Sequence, residues 1–321
     1  MNIKSILRNI RFLALLIGNM MMAGCSNSDK PAYLEPHLIT TEATHITRTE
    51  ATLNGSATIE GETEMPKLLF RYGTSESMDL NTSEVHAQGA DVSLVLTGLK
   101  AGTTYYYMLQ GNNGRITTTS NMMSFTTLPN MSPKLTSATL LSHGPMSAFV
   151  SYEITDDGGE PMTETGCYVY QTGEPENKQK YIIENFDGKE GKIKLRIGNL
   201  ERNAHYEFQP FARNTVGETI GTAIKYNTSD AITLNETGEL TQLMGNHLYD
   251  YTQLTIAGTL NGEDLSCLRL MMGRDNNNAS TPGKLSDIVL TDVHLAAGGM
   301  VGPYHHEAAE NQIVQGTFAG C

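Results

Sequence analysis

The sequence predicts a mainly β protein: two tandem β-sandwiches followed by a small α/β C-terminal domain. Three observations carry that reading. Apolar and polar residues alternate over many short segments between residues 37 and 229, with turn residues between them. Period-2 alternation buries one face of a strand and wets the other. The pattern then recurs at an offset of 101 residues, and beyond residue 229 the apolar spacing changes to the three and four of a helix.

At the start of the chain, Lys4, Arg8 and Arg11 precede a short apolar run, Phe12 to Gly18, and Met22-Ala23-Gly24-Cys25 closes the segment. A cationic start, a short apolar stretch and small residues before a cut site mark an export signal. The run is too short to span a bilayer, which needs about 20 residues. A buried N-terminal helix does not explain the three leading cations or the polar stretch that follows. Met22, Ala23, Gly24 and Cys25 resemble the lipobox of bacterial lipoproteins, with Met22 where that family usually has leucine. The resemblance implies a signal peptide over residues 1–24 and lipidation (palmitate) at Cys25 as the mature N-terminus. It also implies a cell-envelope location, at the outer membrane and surface exposed. An ordinary cleaved signal is the alternative. Residues 25–36, polar and with two prolines, read as a tether.

The first module alternates at Ala51, Leu53, Ala57 and Ile59, at Leu68, Phe70 and Tyr72, and at Val92, Leu94 and Leu96. Asn54-Gly55, Gly61, Gly73, Gly89, Gly98 and Gly102 read as turns. The second module alternates at Ala148, Val150, Tyr152 and Ile154, then at Ile193, Leu195 and Ile197. Leu99 to Tyr105 (LKAGTTY) aligns without a gap on Leu200 to Tyr206 (LERNAHY). Asn113 meets Asn214, Thr118 meets Thr219, Phe125 meets Tyr226 and Thr127 meets Thr228. The Leu-x5-Tyr element reads as a structural tyrosine corner at Tyr105 and Tyr206, each ring buried across a turn with its hydroxyl bonded to nearby backbone. On a strand, Tyr105 and Tyr107 share the core face and Tyr106 points outward. These stretches resemble fibronectin type III domains, immunoglobulin-like sandwiches, over residues 37–129 and 132–229. Neither copy has the proline often found in that family's Leu-x5-Tyr loop, and the chain has no tryptophan.

In the C-terminal third, Leu240, Leu243, Met244 and Leu248 predict a short amphipathic helix. Leu254 to Gly258 reads as a strand. Asn261 followed by Asp264 predicts a helix start, with Leu265, Leu268 and Met272 as its apolar stripe. Arg274 to Gly283 is a loop by composition. Leu285, Ile288 and Leu290 fit L-x-x-L-x-L; Leu265, Leu268 and Leu270 fit it too, but the asparagine cap favours a helix there. Together with Thr317 to Cys321 (TFAGC), these segments resemble the start of BspA-type leucine-rich-repeat surface proteins. The resemblance implies an incomplete leucine-rich-repeat-like domain over residues 230–321. A solenoid repeat cannot bury its apolar face alone, so an unfinished edge is expected, either in a shortened member of a longer-solenoid family or against a partner.

The chain carries 22 Lys+Arg against 35 Asp+Glu. Without Lys4, Arg8 and Arg11, the part from Cys25 onward has 19 against 35, a charge of −16. Such a surface repels phosphate backbones, which excludes nucleic acid as an expected partner. Membrane contact is expected only through the N-terminal lipid. Cys167, Cys267 and Cys321 are widely spaced and form no C-x-x-C, so buried thiols are expected at the first two. No phosphate loop, G-x-S-x-G or H-E-x-x-H occurs. His305-His306 with Glu307 and Glu310 is the best metal candidate, but adjacent histidines diverge and a solvated loop is expected. Asp275 to Asn278 reads as a polar loop, and Asp156-Asp157-Gly158-Gly159 as a turn. With no catalytic constellation, no metal and no cofactor expected, the reading is a non-enzymatic surface lipoprotein. It would act as a spacer presenting a recognition surface for adhesion or protein interaction. The alternative is a glycan-binding or accessory component of a polysaccharide-utilisation system.

Overall fold

Many of the alternating segments become strands with one face in a core, and they assemble into two compact units that part between Leu128 and Pro129. The computed structural model describes residues 35–60, 65–112, 114–302, 306–313, 317–318 and 321.

The first unit contains β1 (His37–Thr44), β2 (Glu50–Thr58), β3 (Lys67–Gly73), β4 (Leu80–Asn81), β5 (Asp91–Thr97), β6 (Thr104–Asn112), β7 (Thr117–Thr119) and β8 (Met123–Thr126). One antiparallel sheet runs β1-β2-β5 and the other β4-β3-β6-β7, with β8 also paired to β6. The inner faces supply one core, in which Leu53, Phe70, Tyr107 and Leu109 are fully buried. This is the two-sheet sandwich that the alternation predicts.

One expected turn is not a turn. Asn54 and Gly55 lie inside β2, opposite Thr41 and Thr40. The β1–β2 register shifts between Thr41 and Thr44, and the Asn54 side-chain amide reaches across to donate to the Glu42 carbonyl and the Thr44 hydroxyl. A Cβ on Gly55 would stand 2.6 Å from the Ile39 carbonyl oxygen. Glycine here permits a close strand approach rather than a reversal.

The second unit begins with β9 (Lys134–Leu135), β10 (Thr139–His143), β11 (Ala148–Asp156), β12 (Met162–Gln171), β13 (Gln179–Ile182), β14 (Gly191–Ile197), β15 (His205–Asn214), β16 (Glu218–Ile220) and β17 (Ile224–Asn227). It continues through β18 (Ala231–Leu234), α1 (Leu240–Met244), β19 (Gln253–Leu260), α2 (Gly262–Met271), β20 (Asp287–Leu295), β21 (Met300–Val301) and β22 (His306–Glu307). One sheet runs β13-β12-β15-β16, with β17 on β15. The other runs β14-β11-β10-β18-β19-β20, with β9 on β11.

That second sheet changes character along its width. Its β14, β11 and β10 are antiparallel sandwich strands, whereas β18, β19 and β20 pair in parallel. Parallel neighbours need crossover connections, and α1 and α2 lie in them. The boundary expected at 229/230 therefore runs through a continuous sheet inside one compact unit.

Both faces of this sheet are covered near the junction. Ala148 and Val150 face the sandwich core with Cys167 and Phe208. Phe149 faces the opposite way, into a core shared with Ile232, Leu243, Ile256 and Leu268. Hence β11 is buried at five consecutive residues, from Ala148 to Tyr152. The helix start at Asn261 is a full capping box: the Asn261 side chain accepts from Glu263 and Asp264 N–H, and Asp264 accepts from Asn261 N–H. No helix among the described residues is long and apolar enough to cross a membrane.

Candidate functional site

The two tyrosine corners have the same geometry. In the first sandwich the Lys100 N–H donates to the Tyr105 hydroxyl at 2.9 Å. In the second the Glu201 N–H donates to the Tyr206 hydroxyl at 3.0 Å. The matched threonines complete each loop. Thr127 Oγ1 donates to the Lys100 carbonyl (2.6 Å) and accepts from Thr103 N–H (2.9 Å). Thr228 Oγ1 donates to the Glu201 carbonyl and accepts from Ala204 N–H, both at 2.8 Å. Tyr107 is buried and Tyr106 half-buried. Burial pushes the Tyr107 hydroxyl up to about 12 despite a backbone hydrogen bond.

Asn214, at the repeat position of Asn113, has a role that spacing alone does not show. Its amide donates to the Met131 and Asp157 carbonyls, and its oxygen accepts from Val216 and Gly217 N–H. Asn113 and the lipobox residues Met22, Ala23, Gly24 and Cys25 lie outside the described residues.

The C-terminal strands end in an exposed edge. Among the described residues, β20 pairs with β19 on one side and with no strand on the other. Val289 and Leu290 on it are 57% and 45% exposed, unusual for aliphatic side chains in a parallel sheet. Beside them is an apolar cleft of about 200 Å³, lined by Leu260, Leu265, Leu268, Met272, Ile288 and Phe318 among others. The ladder slips between Ala257 and Gly258, leaving Asp292 as an extra residue at a φ of +51°. A bulge of this kind on an edge strand limits indiscriminate pairing.

Candidates for chemistry are committed to structure. Burial pushes the Cys167 and Cys267 thiols up to about 12, so neither is a thiolate at neutral pH. Asp275 Oδ1 accepts from its own loop, from Asn277 and Ala279 N–H. The buried Arg269 guanidinium already donates into that loop, to the Asp275 carbonyl and Asn278 Oδ1. A calcium ion there would meet a fixed positive charge. Asp156, Asp157 and Glu190 place carboxylate oxygens within 4.8 Å of one another. Asp156 and Asp157 cap the N–H groups of Gly158 and Gly159, and Glu190 accepts from Asp157 N–H. This is turn construction, in line with the expected turn. His305 lies outside the described residues, and Glu307 and Glu310 are exposed.

Two buried carboxylates bind the C-terminal elements together. Asp264 accepts from Gly238, Leu240 and Asn261 N–H at 2.7, 3.0 and 2.9 Å. Burial raises its pKa above the ordinary carboxylate value, against those three hydrogen bonds. Glu239 accepts from the Ser142 hydroxyl of β10 and pairs with the Lys194 ammonium of β14.

No family model matches the chain, and no curated protein does. Among solved structures, the neighbours include fibronectin type III tandem domains. The two-domain segment of chicken tenascin is 18% identical, over 60% of this chain and 99% of that one, at a TM-score of 0.30. The FN1–FN3 domains of chicken CNTN1 are 13% identical, over 61% of this chain and 69% of that one, at 0.25. The sensor domain of the anti-sigma factor RsgI4 of Pseudobacteroides cellulosolvens is 22% identical, over 30% of this chain and 99% of that one, at 0.25. The sandwich architecture itself rests on the strand pairings described above.

Proposed function

We propose that the chain is a non-enzymatic lipoprotein of the bacterial cell surface, anchored in the outer membrane through Cys25. Its two sandwiches act as a spacer, and its leucine-rich-repeat-like C-terminal strands present a recognition surface for a protein partner. The mechanism is geometric: lipid holds one end, and recognition occurs at the other. One observation carries the reading. The parallel strands are fused to the second sandwich by a shared sheet and core, yet the last of them leaves Val289 and Leu290 open beside an apolar cleft. An exposed apolar patch rimmed by polar residues marks an interaction site.

The test is adhesion by whole cells expressing the chain to immobilised fibronectin, laminin and collagen. A Val289→Lys/Leu290→Lys double variant should be surface-displayed at the same level and lose adhesion. Equal adhesion by the double variant would contradict recognition at this edge.

A further inference from the structure

The second sandwich carries a different kind of concavity. The connection from β12 to β13, residues 172–178, and the tyrosine-corner loop after β14 enclose a cavity of about 190 Å³. Pockets for drug-sized ligands measure about 300–1,000 Å³, so this smaller space suits a ligand the size of one sugar ring. Its lining includes Tyr181 and Tyr206, and both hydroxyls are bonded. Tyr181 donates to the Gly198 carbonyl at 2.7 Å, and Tyr206 accepts from Glu201 N–H at 3.0 Å.

The same lining holds two acid–amide pairs. Gln171 Nε2 donates to Glu201 Oε2, and Asn177 Nδ2 donates to Glu174 Oε2, each at 3.1 Å. An amide carries two N–H donors and an acceptor, and a carboxylate has two accepting oxygens. Each pair thus retains donors and acceptors side by side after its mutual bond. Neighbouring hydroxyl groups, each both donor and acceptor, satisfy such a pair. Among the described residues no lysine or arginine lines the cavity, so an anion finds no counter-charge there. The hydroxyls of Tyr181 and Tyr206 are already bonded, so little ordering remains to be done on binding.

We propose that this cavity binds a single neutral sugar residue of a glycan, read by Gln171, Asn177, Glu174 and Glu201. The proposal extends the non-enzymatic recognition reading to a second surface and is independent of the β20 edge. The test is saturation-transfer NMR and titration of the full chain with glucose, galactose, mannose and N-acetylglucosamine. Calcium alone and N-acetylarginine amide serve as competing probes.

At least one sugar should bind saturably, with a Kd on the order of 1–10 mM as befits a ligand of this size. Gln171→Ala and Asn177→Ala should each weaken it by about fivefold or more, with an unchanged melting temperature because both side chains lie at the surface. Three results would overturn the proposal: no saturable binding of any of the four sugars, sugar binding indifferent to both substitutions, or calcium or the arginine amide binding at these residues while the sugars fail. None of these results alters the adhesion outcome at Val289 and Leu290, so the two surfaces are judged separately.

Discussion

His143 of β10 pairs with Thr233 of β18, and across that single antiparallel bridge a sandwich sheet becomes a parallel one. The bridge does not stand alone. Ser147 Oγ donates to the Leu243 carbonyl of α1 at 2.5 Å, and Phe149 packs among the C-terminal aliphatic residues. The C-terminal strands are therefore seated on a surface that the second sandwich supplies.

Phe149→Ala tests that seating. It removes a large buried ring from the shared core and should destabilise the second unit by about 3–5 kcal/mol. Circular dichroism during urea unfolding should show the second sandwich and the C-terminal strands lost in one transition. Two separated transitions, with the sandwich unaffected by the substitution, would show independent domains.

The corners allow a matched comparison. Tyr105→Phe and Tyr206→Phe each strip the acceptor from one backbone N–H, of Lys100 and Glu201 respectively. Each should cost about 1–2 kcal/mol, measured as a shift in the urea midpoint, and the two costs should agree closely because the geometry does.

Thiol chemistry follows from burial. In a Cys25→Ala background, native protein should show one thiol accessible to Ellman's reagent at pH 8, the exposed Cys321. Full denaturant should reveal three, as Cys167 and Cys267 emerge. Rapid reaction of Cys167 in the native state would contradict its placement inside the second sandwich.

Alkaline pH should unfold the chain through the same groups. The thiols of Cys167 and Cys267 rise from 9.0 to about 12, and the Tyr107 hydroxyl from 10.0 to about 12. Above pH 9 the unfolded chain loses these protons first, so it binds fewer protons than the native state, and stability falls as pH rises. The contribution is complete below pH 9 and lost between about 9 and 12. Cys167→Ala/Cys267→Ala protein should show a shallower decline over that window in urea midpoints.

Local sequence carried much of this arrangement. Leu-x5-Tyr with its distant threonine, and Asn261 with Asp264, are legible because each motif makes its own hydrogen bonds within a loop or first helical turn. The Asn54-Gly55 dipeptide misleads because its turn preference is local, whereas strand pairing against β1 decides its conformation. Phe149 stays hidden in a period-2 reading, which assigns it to the wet face. The signal was the absence of any charged residue from Ser147 to Tyr152. The sugar-sized cavity draws Gln171 and Glu201 together from segments 30 residues apart, and no spacing rule announces such a meeting.

The anchor at Cys25 is the premise of the functional account, and metabolic labelling with an alkyne analogue of palmitate tests it most directly. The wild-type chain should incorporate label and remain with washed outer membranes, while Cys25→Ala should carry none and leave with the soluble fraction. An unlabelled wild-type chain, or a Cys25→Ala chain that stays in washed membranes, would contradict it.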